Sequence, residues 1–293
     1  MTEAANHVIV SGGFDDVRLP DVRFLEEASR LGPLHVLLWT DELLRKRTGD
    51  DPKFPLSERL YFVQAVRYVR RVHAVQHPAD QQALAQQLPK GSIWAIRESE
   101  APEAERQGLD YRIISESELD QPRSTGILPV TEESWAGRPC YEQTQDLQDA
   151  RDAERAGRRK VMVTGCYDWL HTGHIRFFEE VSALGDLYVV VGHDANIRLL
   201  KGEGHPLFDE RHRRYMVGSI RYVTQALVSS GHGWLDAEPE IERIRPDIYA
   251  VNEDGDKPEK REYCEKHGIE YVVLKRLPKE GLPRRESTKL RGF

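Results

Sequence analysis

Two histidines, His171 and His174, stand where a predicted buried strand gives way to a helix, in the segment V-T-G-C-Y-D-W-L-H-T-G-H at residues 163–174. Glycine lets a ligand come close to the backbone, and a helix N-terminus presents free N–H groups to an anion. Both histidines would face a phosphate bound there. Either protonated or as neutral N–H donors, they would stabilise charge that develops on its oxygens. The pattern therefore predicts phosphoryl transfer without a nucleophilic side chain.

Two alternatives to an anion site remain for these histidines. Each could be a structural histidine that contacts no ligand. Together they could begin a zinc site, for which Cys166 and His193 are the evident further ligands. The position of the motif, directly after a strand and before a helix, favours the anion site.

The chain contains an internal repeat. Residues 11–32 align with residues 164–185 at a constant offset of 153, and nine positions in this window are identical. An R…R-Y-V element at 59–69 recurs at 213–223 with an offset of 154. The repeat indicates that one unit was duplicated.

Each half alternates apolar strands with amphipathic helices, which predicts an α/β fold of two tandem Rossmann-like domains, each with a doubly wound parallel sheet. The predicted strands are 7–11, 34–39, 70–75, 91–96 and 111–114 in the first half and 161–164, 187–191, 222–228, 247–251 and 270–274 in the second. The predicted helices of the second half are 175–184, 208–219, 237–244 and 258–267. The predicted domains are 1–118 and 159–293, joined by a linker at 119–158 whose tail is helical. Ligands of such sheets bind at the carboxyl edge of the strands, where the histidine motif lies.

Composition narrows the class of protein. The 293 residues carry 42 Lys and Arg against 49 Asp and Glu, a net charge of −7, which gives no support to nucleic acid as the main partner. Three cysteines without paired spacing argue against a disulfide framework. No apolar run approaches 18 residues and no signal peptide is visible, so a cytoplasmic protein without a membrane span is expected.

The segment G-C-Y-D-W-L-H-T-G-H resembles the G-x-F/Y-D-x-x-H-x-G-H signature of the cytidylyltransferases, within the H-x-G-H nucleotidyltransferase superfamily. The resemblance covers residues 161–291. It implies transfer of CMP from CTP to a phosphorylated alcohol or sugar, with release of pyrophosphate and with Mg²⁺ as cofactor. The alternatives are an adenylyltransferase that uses ATP on a sugar phosphate or cofactor precursor, and a non-catalytic nucleotide-binding scaffold.

The resemblance also implies which residues form the site. The catalytic set is His171, His174, Lys201 and Arg213. The nucleotide-binding set is Gly165, Cys166, Tyr167, Asp168, Gly173, Asp254, Arg276, Ser287 and Thr288. Arg284 and Arg285 are alternatives to Arg276, because the spacing between Arg276 and Ser287 departs from the family pattern. Asp194, just past a strand at the carboxyl edge, and Arg221 are expected to meet the acceptor, and no protein ligand for a metal is predicted.

The first half keeps the scaffold and loses the signature. Arg18, Pro20 and Asp21 occupy the positions of His171, Gly173 and His174. Proline removes an N–H from the anion-binding turn, and the aspartate places negative charge where a phosphate would bind. The first half is therefore predicted to be inactive. The tandem layout is similar to that of ethanolamine-phosphate cytidylyltransferases. It implies an internal pseudo-dimer of the two halves, in a monomer or a homodimer.

Overall fold

The computed structural model describes residues 7–88, 91–106, 109–122 and 157–290. These residues form two units, 7–122 and 157–290. The first unit continues past residue 118, because Leu119 is buried and Arg23 donates a hydrogen bond to the Gln121 carbonyl at 3.2 Å. The rest of the predicted linker, apart from residues 157–158, lies outside the described residues.

Both units are α/β, and each is built on a five-stranded parallel sheet, as the strand pattern predicts. The strands of the first unit are β1 Val8–Gly12, β2 Leu34–Trp39, β3 Val69–Val75, β4 Ile93–Arg97 and β5 Tyr111–Ile114. Its α-helices are Leu19–Ser29, Asp41–Thr48, Leu56–Ala65, Pro78–Gln87 and Ala101–Arg106.

The second unit repeats this order. Its strands are β6 Lys160–Gly165, β7 Asp186–Val191, β8 Gln225–Val228, β9 Ile248–Asn252 and β10 Glu270–Leu274. Its α-helices are Thr172–Ser182, Asp194–Lys201, Glu210–Gly218, Glu238–Ile244, Pro258–His267 and Ser287–Leu290. Strand β8 is shorter than predicted because residues 220–223 form a tight turn, in which the Val223 N–H bonds to the Ile220 carbonyl. Within the described residues, no helix is both long and apolar enough to cross a bilayer.

The two sheets share one topology, β3-β2-β1-β4-β5 in the first unit and β8-β7-β6-β9-β10 in the second. In each sheet, the first strand of the unit lies in the centre. The second and third strands lie on one side of it and the fourth and fifth on the other, so the strand order reverses between the first and the fourth strand. Strands β6 and β9 pair only at their amino ends, Val161 with Ile248 and Met162 with Tyr249. They are not paired beyond these residues, which leaves a crevice at their carboxyl ends, where doubly wound folds bind ligands.

The repeat extends to individual hydrogen bonds. The Asp15 carboxylate accepts from the backbone N–H groups of Lys53 and Phe54 at 2.7 and 2.9 Å. Asp168 accepts in the same way from residues 207–208, at 2.7 and 2.9 Å. Residues related by the repeat thus make the same tertiary contact in both units. This contact joins the loop after the first strand to the loop before a later helix.

A ladder of three histidines, His7, His35 and His73, crosses the first sheet. His35 is 3% exposed, and its Nε2 and Nδ1 lie 2.9 Å from His7 Nδ1 and 3.3 Å from His73 Nε2. Burial lowers the pKa of His35 to about 4, and the positive charges of His7, His73, Arg71 and Arg70 act in the same direction.

We expect acid to destabilise the first unit before carboxylates titrate. Between the unfolded pKa of about 6.5 and the folded value of about 4, the unfolded chain binds a proton at His35 that the folded chain does not. This contribution to stability is complete above pH 6.5 and is lost as the pH falls toward 4, by about 1.4 kcal/mol per pH unit. Thermal unfolding of the full chain at pH 7, 6 and 5 measures it. His35→Gln, which retains a donor and an acceptor but does not titrate, should flatten the dependence. An equal fall in the variant would contradict the assignment.

Candidate functional site

The turn that carries the histidine motif is held in shape by packing against its own aromatic residue. Tyr167 has a positive φ of 51°, and its ring is buried against His174 and Phe178, with centroid distances of 5.3 and 5.2 Å. A Cβ at Gly165 would lie 2.8 Å from that ring, so glycine is required there. The first unit repeats the backbone feature, with a φ of 46° at Phe14. The backbone conformation of this turn is therefore common to both units and does not depend on the two histidines.

The two histidines lie together at the start of the helix Thr172–Ser182. Their rings stack with centroids 3.9 Å apart. His171 is the N-cap, and its Nδ1 accepts a hydrogen bond from the Gly173 N–H at 3.0 Å, so its proton lies on Nε2. His171 Nε2 and His174 Nδ1 are buried and have no hydrogen-bond partner among the described residues. Buried polar atoms are almost always paired, so these two nitrogens indicate a ligand.

The surroundings of both imidazoles favour the neutral form. Burial holds the pKa of His171 well below its ordinary value, with His174, Arg276 and Arg285 adding to the effect. Burial likewise lowers the pKa of His174 to about 3, helped by the positive charges of Arg276 and Lys201. Of the two protonation states that the sequence leaves open, these pKa shifts favour the neutral N–H donor. The neighbouring charges that act on these rings, those of Lys201, Arg276 and Arg285, are all positive and would favour an anion beside them.

A cavity of about 450 Å³ opens beside this turn, at the carboxyl ends of β6 and β9. Its volume lies within the range of small-molecule sites. The predicted site residues that line it are Gly165, Cys166, Tyr167, Asp168, His174, Lys201, Asp254 and Ser287. Thr164, Asn252, Gly255 and Lys260 also line it and were not among the predicted site residues.

Lys201 reaches the cavity from the last turn of the helix Asp194–Lys201. Gly202 ends this helix with a positive φ of 84°, and the loop that follows returns to the cavity, where His205 joins the lining. Asp168 secures the far end of the loop through its two backbone hydrogen bonds, 2.7 Å to Leu207 and 2.9 Å to Phe208. Asp168 therefore orients the loop after Lys201 as well as the turn that carries the histidines.

Arg213 does not line the cavity, in contrast to the role predicted for it. Its side chain is fully buried and donates to the carbonyls of Phe208, Cys166 and Gly192 at 2.8, 2.7 and 2.8 Å. It also pairs with Asp194 at 2.6 Å, so this carboxylate, too, serves the scaffold. The sequence could not reveal this, since an arginine that binds carbonyls and one that binds phosphates are the same residue type.

The first unit shows that this arginine is part of the fold. Arg59 donates to the carbonyls of Phe54, Gly13 and Trp39 at 3.0, 2.6 and 2.9 Å and pairs with Asp41 at 2.6 Å. These partners are the repeat equivalents of those in the second unit. Arg221, the other predicted acceptor contact, is exposed and does not line the cavity.

The segment 275–287 closes the histidine end of the site. Arg276 pairs with Asp254 at 2.6 Å, and it lines a second, smaller cavity beside Thr172 and Gly173. The Ser287 hydroxyl donates to the Trp169 carbonyl at 3.3 Å. Arg276 thus reaches the histidines despite its unusual spacing, and Arg284 and Arg285 line the same small cavity. Thr288 lies in the helix Ser287–Leu290, and its side chain is outside the described residues.

At the equivalent turn of the first unit, the side chains that replace the two histidines are paired with charged neighbours. Arg18 pairs with Asp16, and Arg97 donates to Asp21 at 2.9 Å while lying over the Phe24 ring at 4.5 Å. The charges at the histidine positions are therefore balanced by neighbouring side chains.

The zinc alternative does not fit the surroundings of His193. Its Nδ1 accepts from the Asn196 N–H at 3.2 Å, and its Nε2 lies 2.9 Å from the Gly231 carbonyl. Both ring nitrogens are occupied. In the described part of the chain, no group of three or more His, Cys, Asp or Glu is arranged to hold a metal ion.

Comparison with known proteins places the second unit in a family. The cytidylyltransferase-like family model matches residues 162–284. The FAD synthase of Aciduliprofundum boonei is 41% identical over 125 residues, which are 42% of this chain and 80% of that protein. The FAD synthase of Ferroglobus placidus is 35% identical over 125 residues, 42% of this chain and 78% of that protein. The bifunctional protein HldE of Syntrophotalea carbinolica is 34% identical over 106 residues, 36% of this chain and 21% of that protein.

Proposed function

The chain belongs to the cytidylyltransferase-like family of nucleotidyltransferases, and on that premise we propose that its second unit transfers a nucleotidyl group from a nucleoside triphosphate to the phosphate of a small acceptor. One observation carries the proposal. His174 lines the larger cavity with Lys201, and His171, which lines neither cavity, stacks on His174. Each ring has a buried nitrogen without a partner among the described residues, and the positive charge of Arg276 acts on both rings. This is a set of donors for phosphate oxygens, with no side-chain nucleophile among them.

The reaction is a displacement at the α-phosphorus. An oxygen of the acceptor phosphate attacks, a new P–O bond forms, and the bond to the β-phosphate breaks with pyrophosphate as the leaving group. The Nε2–H of His171 donates to an α-phosphate oxygen, because Nδ1 of the same ring is held by Gly173. His174, stacked on His171, contributes the second ring to the same group. Donors fixed before the reaction stabilise the charge that develops on the transferred phosphoryl group.

The β- and γ-phosphates are held by the cations around the histidines. Lys201 binds from the loop side, and Arg276 binds from the carboxyl-terminal segment with Ser287 beside it. The negative charge of a triphosphate would offset the cations that lower both histidine pKa values. Nucleotide binding would therefore shift both pKa values upward, toward the protonated form of each ring.

Mg²⁺ fits this site as a companion of the triphosphate. Two aspartates line the cavity, but Asp168 is engaged with backbone N–H groups, so Asp254 is the carboxylate that faces the ligand, beside Arg276. One carboxylate together with substrate phosphates is a donor set that Mg²⁺ prefers. When bound, the ion neutralises charge on the phosphate oxygens.

Two nucleotides are candidates for the donor, each favoured by a different observation. The identity with two FAD synthases favours ATP, since FAD is FMN joined to AMP. The signature G-C-Y-D-W-L-H-T-G-H favours CTP, because it resembles that of cytidylyltransferases. We propose ATP as the first donor and a phosphorylated cofactor precursor as the first acceptor class, with CTP and a phosphorylated alcohol or sugar as the second pair.

Pyrophosphate release tests the proposal directly. The full chain is mixed with Mg²⁺ and each of the four NTPs, against FMN and a panel of phosphorylated alcohols and sugars. We expect turnover with one pair, and one nucleotide site per chain by calorimetry, because the first unit's charges are self-paired. A chain that binds nucleotide but releases no pyrophosphate with any acceptor would support the non-catalytic alternative instead.

A further inference from the structure

The first unit has a cavity of its own at the carboxyl ends of β1, β2 and β4, which we call the first-unit cavity. Its volume is about 160 Å³, and the side chains that matter below are Ser11, Trp39, Arg47, Gln81, Trp94 and Glu100. A cavity of about 150 Å³ is large enough for benzene, so this one has room for a ligand of about six non-hydrogen atoms. The phosphate chemistry of the second unit does not use it.

Two indole rings line the first-unit cavity, and the repeat shows how they come to be there. Trp94 takes the place of Tyr249, because each pairs with the first strand of its unit in the same register. In the second unit, the Tyr249 hydroxyl lies 2.7 Å from Thr164 Oγ1. In the first unit, Ser11 stands at the position of Thr164, and its hydroxyl accepts instead from Trp39 Nε1 at 2.6 Å. Trp39 and Trp94 therefore both line the cavity, an arrangement that the sequence of the second unit does not repeat.

The protein already places an organic cation at the rim of this cavity. The guanidinium carbon of Arg47 lies over the Trp39 ring, 5.1 Å from its centre. The same guanidinium donates to both carboxylate oxygens of Glu103, at 3.1 and 3.2 Å. The face of an indole ring attracts positive charge. Because this ion pair is exposed, it contributes little to stability and can rearrange when a ligand enters.

The charge on the cavity wall is not balanced. Among the described residues that line it, Arg47 is the only basic one, and it is paired with Glu103, which leaves the carboxylate of Glu100. Burial raises the pKa of Glu100, and the negative charges of Glu116 and Glu103 act in the same direction, against the backbone N–H and the positive charge of Arg97. A cation bound beside Glu100 would offset both the loss of solvent and the repulsion.

Gln81 adds a hydrogen-bonding group that the protein does not use. Its side chain lines the first-unit cavity, and its Nε2 is buried without a hydrogen-bond partner among the described residues. Buried polar atoms are almost always paired, and an amide N–H donates to an oxygen acceptor. A ligand that carries an oxygen close to its positive charge would therefore satisfy Gln81 as well as Glu100.

We propose that the first unit binds a small organic cation, an alkylammonium compound with an oxygen atom nearby, in the cavity lined by Trp39, Trp94 and Glu100. Aromatic rings recognise alkylammonium groups in proteins, and here a carboxylate lies in the same wall. An inorganic cation fits less well, because indole rings give it no oxygen ligands. The inference goes beyond the proposed nucleotidyl transfer and does not rest on it, since this cavity contains none of the residues assigned to that reaction.

A pair of compounds with one shape and different charge tests the inference on the full chain. Choline has about seven non-hydrogen atoms and carries an ammonium group and a hydroxyl. In 3,3-dimethylbutan-1-ol, a carbon atom replaces the nitrogen, so the charge is lost and the shape is kept. Dissociation constants are measured by calorimetry at constant ionic strength, with choline chloride replacing sodium chloride. We expect choline to bind at least about tenfold more tightly than the neutral compound, because the attraction to the rings and the carboxylate is electrostatic.

Three variants place the binding in the first-unit cavity. Glu100→Gln keeps an acceptor for the Arg97 N–H but removes the charge, and it should weaken choline binding about tenfold. Glu98→Gln, at an exposed position of the same short helix, is the matched control and should bind choline as the wild type does. Arg47→Met removes the cation that occupies Trp39 and Glu103, so it should tighten choline binding by about two- to fivefold.

Each comparison can contradict the inference. Equal binding of choline and 3,3-dimethylbutan-1-ol, or no binding of choline at all, would overturn it. An unchanged affinity for choline in folded Glu100→Gln would mean that choline binds elsewhere, which would also overturn it. Where Glu100→Gln does not fold, Arg47→Met decides, because a loss of structure at the rim cannot tighten binding. Weaker or unchanged choline binding in Arg47→Met would then overturn the inference.

Discussion

Replacing His171 or His174 with alanine is expected to lower kcat by about 100- to 1000-fold, the usual cost of removing one preorganised donor to a developing negative charge. The ring nitrogens His171 Nε2 and His174 Nδ1 make no hydrogen bond to the described residues. His171→Ala also removes the N-cap acceptor of the Gly173 N–H, which should cost about 0.5–2 kcal/mol of stability. Steady-state pyrophosphate release measures kcat, and circular dichroism checks the fold. The double variant should lose little more than either single one, because residues that act on one group act as a unit.

Two variants separate chemistry from structure at this turn. His171→Asn keeps an N-cap acceptor for the Gly173 N–H while it removes the imidazole, so it should lose activity without losing the helix start. Lys201→Ala should mainly raise KM for the triphosphate, because it removes a cation from the cavity wall. Near wild-type turnover in a folded histidine variant would exclude that histidine from the mechanism. An unchanged KM for the triphosphate in Lys201→Ala would show that Lys201 is a solvated residue that does not bind it.

Arg213→Met is expected to destabilise the second unit by about 3–5 kcal/mol, because breaking a buried ion pair leaves its partners without compensation. The partners here are the Asp194 carboxylate and three backbone carbonyls. One of these carbonyls belongs to Cys166, which lines the cavity, so turnover should also fall. Thermal or denaturant unfolding and pyrophosphate release together measure the two effects.

The repeat supplies the matched control for this prediction. Arg59→Met removes the same set of contacts from the first unit, so it should cost a similar free energy of unfolding. Turnover, measured where both variants remain folded, should be spared in Arg59→Met. A loss of less than about 1 kcal/mol in the free energy of unfolding of Arg213→Met would be typical of an exposed ion pair. That result would contradict the structural role of Arg213.

The sequence by itself determined the architecture, because the relevant signals are local. Continuous apolar runs such as 187–191 can be buried only in a sheet covered on both faces, and they alternate with helical periodicity along the chain. The offset of 153 residues then required two copies of one topology, and the two sheets do share one strand order. The histidine motif could also be located, since a strand-to-helix turn in a doubly wound sheet always lies at the carboxyl edge.

Only the tertiary structure decided what the charged side chains do. Arg213 and Arg276 are the same residue type, yet one is buried against carbonyls and the other lines the smaller cavity. Sequence spacing does not reveal which partner is near, because loops of irregular length bring the partners together. The protonation state of His171 and His174 follows from burial and from cations distant in sequence. Lys260 lines the cavity although no sequence pattern predicted it, because a lysine near a helix start is ordinarily solvated and only the path of the chain after β9 brings it there.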